Sequence, residues 1–522
     1  MRRRILKITA VMSLFTVTEK GLAAARQVVL AALFGAGAAM DALVVGLSVA
    51  EFLVALVTGS FLGVFVPMYA RWREEDGRAT ADARGLNVIV AVLIGLTVAA
   101  VMLGLLGGRV AGWVGYGFTE SQRQVADTLM PWLAIFMWGT GAAVLLTGLF
   151  HVRGRFLAPQ AGQVVERVAV LTLVILLAPL MGIRAAAMAF GLGSLVLVAT
   201  LGLFVLRHRP RPGPGLSPVR PEVRTYVLRF LPLMGAAIVD QAVVFTDRAM
   251  ASTLPAGGVS ALYYATVIWR LPVMLLAANF CTVLLPSVSA DAAAGDPRRL
   301  ARSVTFGLKS MILVLIGATT LMLVLARDLT ALLFERGLFD AASTDLTARV
   351  LVALSLCLVV QGVASVVNMT LFALHRSGIV AVVGVGRVVL NVILNALLIG
   401  PLGAVGIALA TSITLAAWVG LVAVPFRRVL RDFGIERVID PEFRALLAKV
   451  AVAAVVTGAV TALLARLPAL AGATELARTL RLGVAGGVGA AVYGALLTVM
   501  RLPEAAQAIR LLTGRLGART GA

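Results

Sequence analysis

Apolar runs of about 20 residues, each long enough as a helix to cross the hydrocarbon of a bilayer, recur from one end of the chain to the other. Lipid offers no partners to a bare backbone, so such runs fold as helices rather than as open sheet or coil. Windows of that length predict fourteen spans, near 5–34, 40–68, 88–107, 127–150, 159–180, 184–206, 226–250, 258–286, 307–327, 344–372, 380–400, 403–424, 444–466 and 476–500. Charged residues make up only 14% of the 522, and the mean hydropathy of +0.99 excludes a soluble domain of this size. The 52 glycines suit helices that approach closely in lipid. The class read from these features is an all-α integral membrane protein.

The start, "MRRRILKITAVMSLFTVTEKGLAAA", has the basic and apolar regions of a signal peptide. Glu19-Lys20 interrupts it before the small residues and the apolar character resumes through "QVVLAALFG", so it reads as a retained first helix. The net charge of +21 would suggest nucleic acid in a soluble chain, but its distribution argues otherwise. Alternate loops, among them "RWREEDGRATADAR", "RHRPRPGPGLSPVRPEVR" and "FRRVLRDFGIER", hold about 27 Lys and Arg together with the termini, and the remaining loops about four. The basic set marks the cytoplasmic side, which places both termini there and requires an even number of spans. Attraction to anionic membrane lipid accounts for the rest of the excess, and no nucleic-acid partner is expected.

A duplication is visible. "DALVVGLSVAEFLVALVTGSFLGVFVPMYA" (41–70) aligns with "SALYYATVIWRLPVMLLAANFCTVLLPSVSA" (260–290), with Pro67 over Pro286 at an offset of 219. "GIRAAAMAFG" (182–191) aligns with "GAVGIALATS" (403–412) at an offset near 221. Two similar offsets so far apart indicate two pseudo-symmetric six-helix lobes, 1–206 and 226–424, joined by a cytoplasmic linker at 207–225. Two further helices at 444–500 and a cytoplasmic tail at 501–522 lie outside the repeat.

A charge in the bilayer core is costly and usually faces a cavity or a partner. Lys20, Arg26, Asp41, Glu51, Glu166, Arg167, Asp240, Asp247, Arg248, Arg270 and Arg387 all fall within predicted spans. Glu51 lies about 15 Å along its helix from Asp41. The offset of 219 makes Glu51 and Arg270 equivalent positions. One reading sets both on a central cavity between the lobes, where they pair in one conformation. The other gives each a partner within its own lobe, where it only holds helices together. With Lys20, Arg26 and Arg270 facing few acids, the cavity reading implies an anionic ligand such as a phosphate. Asp247, Asn391, Asn395 and Thr411 form a second, oxygen-bearing group, open between a hard-cation site and ordinary interhelical hydrogen bonding. Cys281 and Cys357 sit in apolar helices and read as packing residues. No phosphate loop, metal-ligand spacing or nucleophile elbow is present, so neither an enzyme nor a tightly bound cofactor is expected.

"FGAGAAMDAL" followed by "GSFLGVFVPMYA" resembles the signature of the MurJ (MviN) lipid II flippases, of the multidrug/oligosaccharidyl-lipid/polysaccharide exporter superfamily. "LPAGGVSALYYA", "LLPSVSADAAAGD" and "VVLNVILNALLIGPLGAVGIALATS" are similar to it as well. The resemblance implies two lobes around a cationic cavity, alternating access, and a lipid-tail groove formed by helices 13 and 14. By the same resemblance Arg26 matches a functional arginine, Lys20 stands where another arginine is usual, Asp41 matches the acid of the signature and Ser260 the serine before "YYA". Thr266-Val267 replaces an Asp-Arg pair, and Leu53 and Val54 stand where an arginine is expected. The resemblance further matches Asp247, Asn391, Asn395 and Thr411 to sodium ligands of cation-coupled relatives.

The function expected is therefore transfer of lipid II across the bacterial cytoplasmic membrane. A flippase for another polyprenyl-linked polysaccharide and a non-transporting envelope scaffold are the alternatives. Lys20, Arg26, Asp41, Glu51, Ser260 and Arg270 are the expected substrate-binding residues. Na+ or H+ is the candidate coupling cation. The expected partners are the lipid-linked oligosaccharide, membrane lipids and cell-wall synthesis proteins.

Overall fold

The computed structural model describes residues 2–206, 221–376, 378–435, 441–467 and 475–502. Most of the expected linker and nearly all of the expected tail lie outside the described residues. Among the described residues sixteen α-helices run in order: α1 (Arg2–Phe34), α2 (Ala38–Glu75), α3 (Gly77–Val114), α4 (Glu120–His151), α5 (Leu157–Met181), α6 (Arg184–Leu206), α7 (Pro221–Ala251), α8 (Gly258–Pro272), α9 (Asn279–Ala293), α10 (Pro297–Phe334), α11 (Ala341–Ser355), α12 (Leu358–Ala373), α13 (Gly378–Leu402), α14 (Ala404–Asp432), α15 (Pro441–Ala465) and α16 (Glu475–Val499). Among the described residues eleven helices, or thirteen when each of two bent pairs counts as one span, are long and apolar enough to cross a membrane. The chain is a multi-pass, all-helical membrane protein. The expected count of fourteen is not reached by that measure, because α1 carries Glu19, Lys20 and Arg26 along its 33 residues and is not among them.

Local chemistry sets several starts. The Thr119 hydroxyl accepts from Gln122 N and the Gln122 side chain accepts from Thr119 N, a capping box that opens α4. Asp296 accepts from Arg298 N and Arg299 N with Pro297 as the first helical residue of α10, and Asp340 accepts from Ser343 N at α11. The span read as 258–286 is one rod with a fault in it. After Pro272, which lacks an N–H and crowds the carbonyl four residues back, Val273–Ala278 is π-helical before α9 resumes. α11 and α12 meet at a 45° bend.

The duplication reappears in the helix boundaries. α3 and α10 are both 38 residues long and start 220 residues apart; α5 and α13 are both 25 residues long and start 221 apart. The glycines that follow α5 and α13 share a backbone: Gly182 has φ 57° and ψ −138°, Gly403 φ 57° and ψ −133°. That region of φ/ψ space is closed to residues with a Cβ, so the same one-glycine turn was retained in both halves.

Two compact units divide the chain, one holding 1–260 with 336–339 and the other 261–335 with 340–522. In the first, α2, α3, α4 and α7 enclose an aromatic core of Phe61, Phe65, Tyr69, Trp72 and Tyr226. Phe61 stacks on Phe65 at 4.8 Å, and Tyr226 of α7 meets Phe61 edge-on at 6.0 Å. α7 thus packs on α2 within the first unit, with Ala237 and Leu233 beside Gly59 and Gly63. In the second unit α15 and α16 pack on α10 through Leu313, Leu446, Val450, Tyr493 and Leu497. The Tyr493 hydroxyl donates to the Leu313 carbonyl at 2.6 Å. Arg478 pairs with Glu335 at 2.8 Å and Arg481 with Asp328.

Outer faces are apolar. Leu105, Trp113, Leu180, Val382 and Val499 are all more than three-quarters exposed, as befits lipid contact. α13 is patterned inside out, with only Gly384, Asn391 and Asn395 buried. Removing the buried hydroxyl with Tyr493→Phe is expected to cost about 1 kcal/mol, and Tyr493→Ala about 3–5 kcal/mol, read as falling unfolding midpoints in detergent.

Candidate functional site

In the first unit, polar side chains on α1, α2, α5 and α7 are gathered into three groups. The first joins α1 to α5. Arg167 Nε donates to Glu19 Oε1 at 3.1 Å and Nη1 to Glu166 Oε1 at 3.2 Å, so one guanidinium serves two buried carboxylates. The other Glu19 oxygen holds Lys20 Nζ at 2.9 Å, while half of the Lys20 side chain stays exposed. Seven residues after Glu19, two turns along α1, Arg26 lies over the Phe190 ring of α6 at 4.8 Å. Lys20 and Arg26, both expected at the site, therefore share a helix anchored by Glu19. Sequence reasoning noted Glu166 and Arg167 but gave them no role. Their adjacency within an apolar helix was the available signal.

The second group lies about 15 Å along α2 from Asp41. Arg248 of α7 donates through Nη1 to Glu51 Oε2 at 3.0 Å and to Ser48 Oγ at 2.9 Å. Glu51 thus has a partner inside one compact unit, but Arg248 falls in the expected lobe 226–424, so the contact matches neither the Arg270 pairing nor a partner within the lobe 1–206. Arg270, its repeat equivalent, is exposed on α8 in the second unit, two residues ahead of Pro272 and the π-helical stretch.

The third group centres on Asp41, which is 1% exposed. Its Oδ2 accepts from Gly257 N at 2.7 Å; its Oδ1 accepts from Ser260 N at 2.7 Å and also from the Ser260 hydroxyl. Asp41 thereby caps the first turn of α8 from another helix, and three donors and the helix dipole compensate the buried charge. Gly257 is required there, because its φ is +95° and a Cβ would lie 2.7 Å from the Ala36 carbonyl oxygen. Nearby, Leu338 N donates to the Ala32 carbonyl at 2.9 Å and Gly117 N to Ser252 Oγ at 3.3 Å, so four cation-poor loops interlock.

The candidate cation residues are split between units. Asp247 is buried in the first; Asn391, Asn395 and Thr411 belong to the second. Asn391 and Asn395 lie one turn apart on the buried face of α13, with Asn395 Nδ2 donating to Asn391 Oδ1 at 3.2 Å. Thr411 donates to the Ile407 carbonyl at 3.1 Å. These oxygen donors suit a hard monovalent cation better than a soft metal.

A model of the family described as lipid II flippase MurJ matches residues 30–477. A Vibrio cholerae protein named "Probable lipid II flippase MurJ" is 26% identical over 431 residues, 79% of this chain and 81% of the relative. A Burkholderia cenocepacia "Lipid II flippase MurJ" is 26% identical over 360 residues, 66% and 69% of the two chains. Among solved structures, one of a lipid II flippase MurJ in an inward closed conformation aligns with a TM-score of 0.79 at 18% identity, covering 94% of this chain and 99% of that one. An inward-facing multidrug resistance MATE family transporter aligns at 0.69 and 15% identity over 80% of this chain and 95% of its own.

Arg167→Met takes the guanidinium from two buried carboxylates, leaving Glu19 its Lys20 pair, and is expected to cost about 3–5 kcal/mol, with Arg167→Met/Glu166→Gln recovering part of the loss in detergent unfolding. Asp41→Asn sets an NH2 donor against a backbone N–H donor and is expected to cost about 2–4 kcal/mol, and Gly257→Ala about 1–3 kcal/mol, by the same measurement.

Proposed function

Because the chain belongs to the lipid II flippase MurJ family, we propose that it carries undecaprenyl-diphosphate-linked peptidoglycan precursor from the inner to the outer leaflet of the bacterial cytoplasmic membrane. The observation that carries this reading is the presence of Lys20, Arg26 and Arg270 on helices that are otherwise largely apolar. A diphosphate is the group that repays such placement, since each cation gives charge-assisted hydrogen bonds to phosphate oxygens. Lys20 supplies a point charge, and the arginines supply planar forks.

In this reading the lobes 1–206 and 226–424 alternate access to a seam between them, entered by the headgroup from the cytoplasmic side. The basic loops and both termini lie on that side. Asp41 then belongs to the outer gate. Opening outward requires its carboxylate to release Gly257 N and Ser260, while Glu19 and Arg167 keep the cations of α1 in place. α15 and α16, held to α10 by Tyr493 and two arginine pairs, form the groove for the polyprenyl tail. Membrane potential, or Na+ or H+ taken by Asp247, Asn391, Asn395 and Thr411, biases the cycle. Cell-wall synthesis proteins that consume the delivered precursor are its partners.

Reconstitution in vesicles with fluorescent lipid II tests the reading. Wild type is expected to move the label, and Arg26→Ala and Arg270→Glu to slow it about tenfold or more. Equal rates in both variants would remove these arginines from the site. Movement of another lipid-linked sugar, with none of lipid II, would change the substrate.

A further inference from the structure

Arg248 and Glu51 share an ion pair but not an environment. The arginine side chain is 8% exposed and the glutamate 46%. Arg248 Nη1 also reaches Ser48 Oγ at 2.9 Å. Ser48 is buried, and its hydroxyl proton is committed to the Val44 carbonyl at 2.7 Å, so the lone pairs of its oxygen face the guanidinium. The cation is fixed from behind, whereas the anion is able to swing into water. A buried guanidinium needs a counter-charge, but that charge need not be Glu51. Phosphate oxygens accept from the same fork, and a diphosphate brings two negative charges where Glu51 brings one.

We propose that Arg248, seated on Ser48, is an anion subsite that Glu51 occupies before substrate arrives and from which a phosphate group displaces it. The inference rests on the flippase reading for its natural ligand, the lipid-borne diphosphate. The shared chemistry is a phosphate oxyanion. Arg248 brings a guanidinium from α7 to the stretch of α2 around Ser48 and Glu51. Loading the subsite also breaks a tie between α2 and α7, so phosphate arrival loosens the helix pair at the depth where it binds.

The test is titration of the purified full chain with inorganic pyrophosphate and, separately, with fluorescent lipid II. It compares wild type, Glu51→Gln, Arg248→Gln and the double variant. Removing the resident competitor with Glu51→Gln is expected to tighten pyrophosphate binding about tenfold at low salt. Arg248→Gln is expected to weaken it, and the double variant to show no gain over Arg248→Gln. The same order with lipid II assigns the subsite to the lipid-borne diphosphate; a gain confined to pyrophosphate overturns that assignment. Unchanged or weaker binding in Glu51→Gln, or a gain that persists without Arg248, overturns the subsite itself. Should Glu51→Gln fail to fold, Glu51→Asp, with its shorter reach, is expected to gain about threefold, and no gain overturns the subsite. A wild type that moves no lipid II defeats the flippase reading while the pyrophosphate comparison still decides this one. Normal transport with no gain in Glu51→Gln defeats this one alone.

Discussion

A charged side chain in hydrocarbon needs an opposite charge or a set of donors within reach, and that requirement organises the first compact unit. Asp41 meets it with Gly257 and Ser260, Glu19 and Glu166 with Arg167, and Arg248 with Glu51 and Ser48. Each solution ties one segment to another: α2 to the start of α8, α1 to α5, and α2 to α7. Lipid is as apolar as leucine, so helices in it gain little from hiding leucine against leucine. Polar ties and close approaches therefore carry much of the choice of neighbour, and the charged residues are structural before they are functional.

The two units spend their polar residues differently. The first concentrates ionised groups at α1, α2, α5 and α7. The buried face of α13 in the second is neutral, with Asn391 and Asn395 one turn apart. α15 and α16, outside the duplication, are joined to α10 by a tyrosine hydrogen bond and by arginines paired with Glu335 and Asp328.

Much of this was legible along the chain, because hydropathy is a local property. The helices, the turn at Gly182 and its copy at Gly403 could all be read from runs and offsets. Partnerships could not. Arg248 and Glu51 are 197 residues apart and Arg167 and Glu19 148 apart, and no periodicity links such distant charges. The repeat offset makes Glu51 and Arg270 equivalent, whereas the observed contact joins Glu51 to Arg248, which is not its equivalent in the repeat. The fault between α8 and α9 was hidden for a different reason. Pro272 announces a disturbance, but whether a helix kinks, ends or slips into π-helix depends on its neighbours.

The paired turns at Gly182 and Gly403 have a mechanical consequence. A connection of one or two residues has no slack, so α5–α6 and α13–α14 tilt as stiff hairpins. The backbone ladder is out of step at Val273–Ala278, a place where a helix can flex. Arg270 stands just ahead of that joint, so a small flexure there would sweep its guanidinium through a wide arc.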